Sequence, residues 1–123
     1  MAEGMPTQAL MGLRAAIGVG AWTMPKLAGR MFGLDPDGNP QSPYLARLFG
    51  ARDVALATGL NLSSGEARSL WLRIGIACDL ADAAAGALGG RRGYLDPFPT
   101  FLVTATALGA AGLGVAALRA EAS

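Results

Sequence analysis

The chain has 123 residues, room for one compact domain, and 15% of them are charged against about 25% in average soluble domains, while 52% are hydrophobic. Formal net charge is +1 and no basic run or basic-aromatic interleaving occurs, which argues against nucleic acid as a partner. There is no histidine, so Ser-His-Asp triads, His-ligated zinc and His-ligated haem are excluded, and the lone Cys78 allows neither an intrachain disulfide nor a CxxC pair. No metal or cofactor is expected.

Ala, Leu and Gly dominate and β-branched residues are sparse, so the chain reads as all-α. The start, Met1 to Thr7, carries an acid and no Lys or Arg, unlike the positive start of a secretory signal peptide, so the first helix is expected to stay in the mature protein. Four helices are predicted, at about 7–24, 43–62, 64–89 and 97–119. Thr7 is the expected cap of the first, and Pro25 closes it. Ser42-Pro43 opens the second, with proline at the first helical position. Ser63 with Glu66 offers a capping box for the third, and Gly89-Gly90 ends it. Asp96-Pro97 opens the fourth, whose stretch Pro97–Leu118 carries no charge and, at about 1.5 Å of rise per residue, matches a hydrocarbon core roughly 30 Å thick.

These lengths and the short connections predict a single four-helix transmembrane bundle, up-down-up-down. The segment Gly29-Arg-Met-Phe-Gly-Leu-Asp-Pro36 agrees with Gly90-Arg-Arg-Gly-Tyr-Leu-Asp-Pro97 at five of eight positions, and Leu13-Arg14 agrees with Leu72-Arg73. A tandem duplication of a helical hairpin accounts for both. Lys26, Arg30, Arg91 and Arg92 on one side outnumber Arg68 and Arg119 on the other, which puts the Gly-Arg loops in the cytoplasm. Two small-residue stripes, Gly12-Ala16-Gly20 and Ala77-Ala81-Ala85-Gly89, are the expected faces of close helix packing. Trp22, Trp71 and Tyr94 fall near segment ends, where aromatic rings favour the membrane interface, and Arg47, Arg68 and Arg73 lie close enough to the ends to reach water.

The middles of the first three helices hold Arg14, Arg52 with Asp53, and Asp79 with Asp82. Charges at that depth are costly and must be paired or used, so these five side chains are expected to turn inward into one cluster. Asp79 and Asp82 share a helix face. Two arginines and three aspartates leave that layer with a formal charge of −1. As a site, Asp79, Asp82 and Asp53 are the candidates for moving protons, and Arg14 and Arg52 for holding an anionic or carbonyl oxygen of a substrate. As a scaffold, the same residues fix which helices are neighbours.

The stretch Leu13-Arg14-Ala-Ala-Ile-Gly18 with Trp22 and Pro25, then Phe32-Gly33, then Arg47-Leu-Phe-Gly-Ala-Arg-Asp53, and the pair Asp79-x-x-Asp82, resembles a family of small four-helix bacterial membrane proteins known as a domain of unknown function. More distantly, the Arg-bearing first helix and the Lys/Gly/Phe-rich segment after it are similar to DoxX-like membrane proteins. The resemblance implies four spans and an inner-membrane location, and it carries no catalytic assignment.

A soluble helical protein with a very apolar bundle is one reading, and the last helix, with no polar face beyond Thr100, Thr104 and Thr106, argues against it. Three membrane functions fit. The first is an accessory or assembly protein of a membrane complex or homo-oligomer, with a structural charged layer. The second is a membrane-embedded acid–base enzyme (isomerase, cyclase or epoxide-opening hydrolase) acting on a lipophilic small molecule. The third is proton-coupled transport of a small solute by an oligomer. The lipid bilayer is a partner in all three.

Overall fold

Proline marks where most helices of this chain begin. In the computed structural model, which describes residues 4–122, α1 (Met5–Thr23), α2 (Pro25–Met31) and α3 (Ser42–Leu62) each carry proline in the first turn, and α5 (Pro97–Ala122) starts on one. There the missing N–H removes no helical hydrogen bond and the fixed φ favours the helix. The remaining helix, α4, spans Gly65–Arg91. All regular structure among the described residues is helical. Residues 1–3, part of the segment compared with a signal-peptide start, lie outside them.

Several boundaries differ from the expected ones for local reasons. Gly4 caps α1, and Thr7 is instead fully buried one turn in, with no partner for its hydroxyl. Pro25 does not close a helix into a loop. The backbone breaks at Met24 (φ −129°, ψ 64°) and Pro25 opens α2 at once, a fifth helix where the sequence predicts a loop. The Ser63–Glu66 capping box does not form: Ser64 is the cap residue of α4, and the Ser63 hydroxyl donates to the Leu60 carbonyl at 3.2 Å. The Gly89-Gly90 pair does not stop α4, which runs to Arg91.

The four long helices alternate in direction. Gly18 of α1 meets Gly50 and Val54 of α3, and Arg47 of α3 reaches Trp22 of α1, so these two helices are antiparallel. In α4 and α5, Gly90 meets Thr100, Gly86 meets Val103 and Thr104, and Ile76 meets Gly114. α1 also packs on α5, whereas α3 and α4 meet near their two-residue connection, where the Trp71 ring covers Gly59. Among the described residues, α1 and α4 make no backbone contact.

Glycine allows the closest of these approaches. A methyl group on Gly18 would stand 2.8 Å from the Gly50 carbonyl oxygen, and one on Gly50 would stand 2.7 Å from the Gly18 carbonyl oxygen. The expected stripes are not the packing faces. Gly12 and Gly20 have open space where a side chain would go, and Ala77, Ala81 and Ala85 are exposed. The buried stripes are Leu10, Arg14, Gly18 and Ala21 on α1, and Leu72, Gly75, Asp79, Ala83, Gly86 and Gly89 on α4.

Both halves of the chain end a helix with the same turn. The Leu34 N–H donates to the Gly29 carbonyl and the Tyr94 N–H to the Gly89 carbonyl, each at 2.7 Å, across Gly33 and Gly93 with φ of 98° and 80°. This six-to-one bond across a left-handed glycine is the Schellman arrangement, which satisfies carbonyls left over at a helix end. Leu34 then seats on Gly29, and Leu95 on Gly89, with Tyr94 as one extra residue in the second turn. The other match, Leu13-Arg14 with Leu72-Arg73, diverges, since Arg14 is buried and Arg73 is exposed.

Three charged side chains are buried, Arg14, Asp53 and Asp79 at 3% exposed each, while Val19, Leu48, Leu70, Leu80, Phe98 and Phe101 stand largely outside. At one end of the molecule Leu10, Leu60, Leu72, Ala110 and Ala117 form a closed apolar core. Among the described residues, one helix, α5, is long and apolar enough to cross a membrane.

Candidate functional site

Arg14 follows Leu10 by one turn on the buried stripe of α1, so its side chain enters the interior rather than the surroundings. It crosses the gap to α4 and meets Asp79 as a fork, Nη1 to Oδ1 at 3.0 Å and Nη2 to Oδ2 at 2.7 Å. Gly75, one turn before Asp79 on α4, leaves the room that the guanidinium occupies: a Cβ there would lie 2.5 Å from Nη2. Two parallel charge-assisted bonds fix the planar groups in one geometry.

A second fork lies beside the first. Arg52 of α3 donates from Nη1 to Asp82 Oδ1 at 3.1 Å and from Nη2 to Asp82 Oδ2 at 2.5 Å. Its guanidinium carbon also sits 4.7 Å from the centre of the Phe49 ring, three residues earlier on the same helix face, in cation–π geometry. Unlike the first pair, this one is partly open, with 34% of the Arg52 side chain and 27% of the Asp82 side chain exposed. It spans α3 and α4 away from their contact at Gly59 and Trp71.

Asp53 differs from both. It lies on the buried stripe of α3 between Gly50 and Leu56, and its Oδ1 has no hydrogen-bond partner, the nearest cation being Arg52 Nη2 at 3.5 Å. Arg52 Nε is also buried without a partner. A buried polar atom without a partner costs roughly 1–3 kcal/mol, and more when charged, so its persistence calls for an explanation.

All five residues singled out from the sequence face one cavity of about 360 Å³. Apart from Thr106, its wall is otherwise apolar, with Ile17, Phe32, Phe49, Leu95, Val103 and Ala107 among the contributors. The charged layer bounds it towards the closed Leu core, and α2 with the segment after it covers the other end, where Leu34 and Leu95 lie. Volumes of this order hold small ligands.

Sequence reasoning missed several residues that shape the site. Gly75 was readable as the residue one turn before Asp79, and Phe49 as the residue at i−3 from Arg52. Phe32 was visible only as part of a repeat. Arg68 does not simply reach for water: it is largely buried, and its Nε donates to the Ser63 carbonyl at 3.0 Å, tying the α3–α4 connection. Arg47 is exposed, and its Nε donates to the Trp22 carbonyl at 3.1 Å, filling an orphan acceptor at the end of α1. Trp71 is half-buried against Gly59, not free at a surface. Among the described residues, no group of three or more His, Cys, Asp or Glu is arranged to hold a metal ion. Cys78 is a partly buried free thiol.

No family model, curated protein or solved structure matches the chain.

Proposed function

We propose that this chain is a multi-pass bacterial inner-membrane protein, a four-helix transmembrane bundle whose interior cavity holds a lipophilic small molecule against a charged layer near mid-depth. The observation that carries the proposal is the cavity itself: largely apolar walls, one charged floor, and at that floor the buried Asp53 carboxylate, whose Oδ1 accepts no hydrogen bond. The membrane setting is supported by α5, long and apolar enough to span, and by the exposed Leu, Val and Phe of the long helices, which lipid tolerates. The partly open Arg52–Asp82 pair gives the floor a side exit between α3 and α4, in the direction from which a membrane-dissolved molecule would arrive.

The charged residues divide their work under this proposal. Arg14–Asp79 is the strut that joins α1 to α4. Arg52–Asp82 joins α3 to α4 and flanks the opening. Asp53 is the group with bonding capacity to spare, and it is the candidate for contact with a bound molecule and for proton transfer to or from it. The accessory or assembly role is the second reading, favoured by the engagement of both arginines in interhelical forks.

Filling the cavity tests the proposal. The protein would be excised from membranes in polymer nanodiscs, and the small molecules that accompany it identified by mass spectrometry, for wild type and for Ala107→Phe and the milder Ala107→Leu. A lipophilic species present with wild type and depleted in both variants is the expected result. Identical profiles for all three proteins would remove the cavity from consideration as a binding site.

A further inference from the structure

We infer that the occupant of the cavity is a lipophilic cation, an ammonium group on an apolar body, with the ammonium against Asp53 and the body along Phe32, Phe49 and Val103. This deepens the proposed function and rests on the cavity being the binding site.

Charge accounting leads to it. The ionisable groups that line the cavity are Arg14, Arg52, Asp53, Asp79 and Asp82, from three different helices. Arg14 gives both terminal nitrogens to Asp79, and Arg52 gives both to Asp82. Each fork is neutral as a pair. An anionic ligand would have to break one of them and leave a carboxylate uncompensated at the cavity floor. Two groups remain: Asp53, 3% exposed, whose Oδ1 accepts no hydrogen bond and lies 3.5 Å from an Arg52 Nη2 shared with Asp82, and the Arg52 Nε–H, buried without an acceptor. Arg52 already balances Asp82, so the two arginines and three aspartates of the lining keep a formal charge of −1, which a cationic donor beside Asp53 balances.

The wall agrees in kind. Phe49 already presents its ring to a guanidinium, and Phe32 stands beside it with ring centres 6.4 Å apart. Aromatic faces attract organic cations, most strongly where water is excluded. Beyond the floor the lining is apolar apart from Thr106, so a hydrocarbon body is accommodated.

The test is a matched series of probes of one chain length, decylammonium, 1-decanol and decanoate, titrated calorimetrically into the full chain in phosphatidylglycerol nanodiscs, with empty nanodiscs as the reference for partitioning. Decylammonium is expected to bind about tenfold or more tightly than the alcohol, the margin of one charge-assisted bond, and decanoate least of the three. Asp53→Asn should abolish the margin and Asp53→Glu should keep it. If Asp53→Asn does not fold, the ranking of the three probes on wild type still decides. Equal affinities, or decanoate binding best, would overturn the inference and leave the cavity reading intact. Binding of all three probes undiminished in Ala107→Phe would instead overturn the cavity reading. An ammonium has two natural sources, a free lipophilic amine or a lipid headgroup. Repeating the titration in phosphatidylethanolamine bilayers separates them: competition by that lipid assigns the headgroup, and unchanged affinity assigns the free amine.

Discussion

Gly75 of α4 and Arg14 of α1 share one volume: a methyl group on the glycine would stand 2.5 Å from Nη2 and 3.4 Å from Cζ of the guanidinium. The arginine is held at its far end by the fork to Asp79, so it cannot swing aside without losing a bond. Gly75→Ala is therefore expected to destabilise the protein by about 1–3 kcal/mol, as overpacking does, although alanine is the better helix former. Thermal unfolding in detergent checks the sign. Combining Gly75→Ala with Arg14→Met and Asp79→Leu should make the alanine nearly neutral, because the group it displaces is gone.

The Arg14–Asp79 pair itself should behave asymmetrically. Removing one partner, by Arg14→Met or Asp79→Leu, strands a buried charge and should cost about 3–5 kcal/mol, whereas the double replacement should be near neutral or stabilising. A double replacement as damaging as the sum of the singles would mean that the pair is not a simple strut.

Close packing of α1 on α3 rests on Gly18 and Gly50. Gly18→Ala drives a methyl group into the Gly50 carbonyl and the Val54 backbone, and should cost about 1–3 kcal/mol. Gly12→Ala, which meets nothing within 4 Å, should be neutral or better by up to about 1 kcal/mol through helix propensity. Equal effects at the two sites would contradict the packing described.

Topology can be read with single cysteines in a Cys78→Ser background. Glu66 and Arg92 are both exposed and lie at opposite ends of α4. Under the proposed four-span arrangement, an impermeant maleimide should label Glu66→Cys from the periplasmic side, and Arg92→Cys only once the inner membrane is breached. Labelling of both from one side would refute that proposal.

How much of this could be read from the chain differs by level. The four long helices were legible because long runs of helix-favouring residues are bounded by Ser-Pro, Asp-Pro and glycine signals. The inward turn of the charges was legible from cost alone. Partners were not. Whether Arg14 meets Asp53, Asp79 or Asp82 depends on α1 and α4 facing each other across a gap, and spacing within a helix says nothing of that. The small-residue stripes misled for a related reason: alanine is so frequent here that several faces of α1 and α4 look equally suitable, and the fit of Gly18 against Gly50 decides. The short helix α2 was hidden because Pro25 both ends and starts helices, and only the backbone at Met24 distinguishes the two.

The most direct measurement of the central claim is a structure of the protein in lipid with decylammonium bound. The account predicts density for the chain inside the cavity, along Phe49 and Val103, with its nitrogen within hydrogen-bond distance of Asp53 Oδ1 and both arginine forks intact. Density for the probe only on the outer faces of the helices, beside an empty or collapsed cavity, would contradict it.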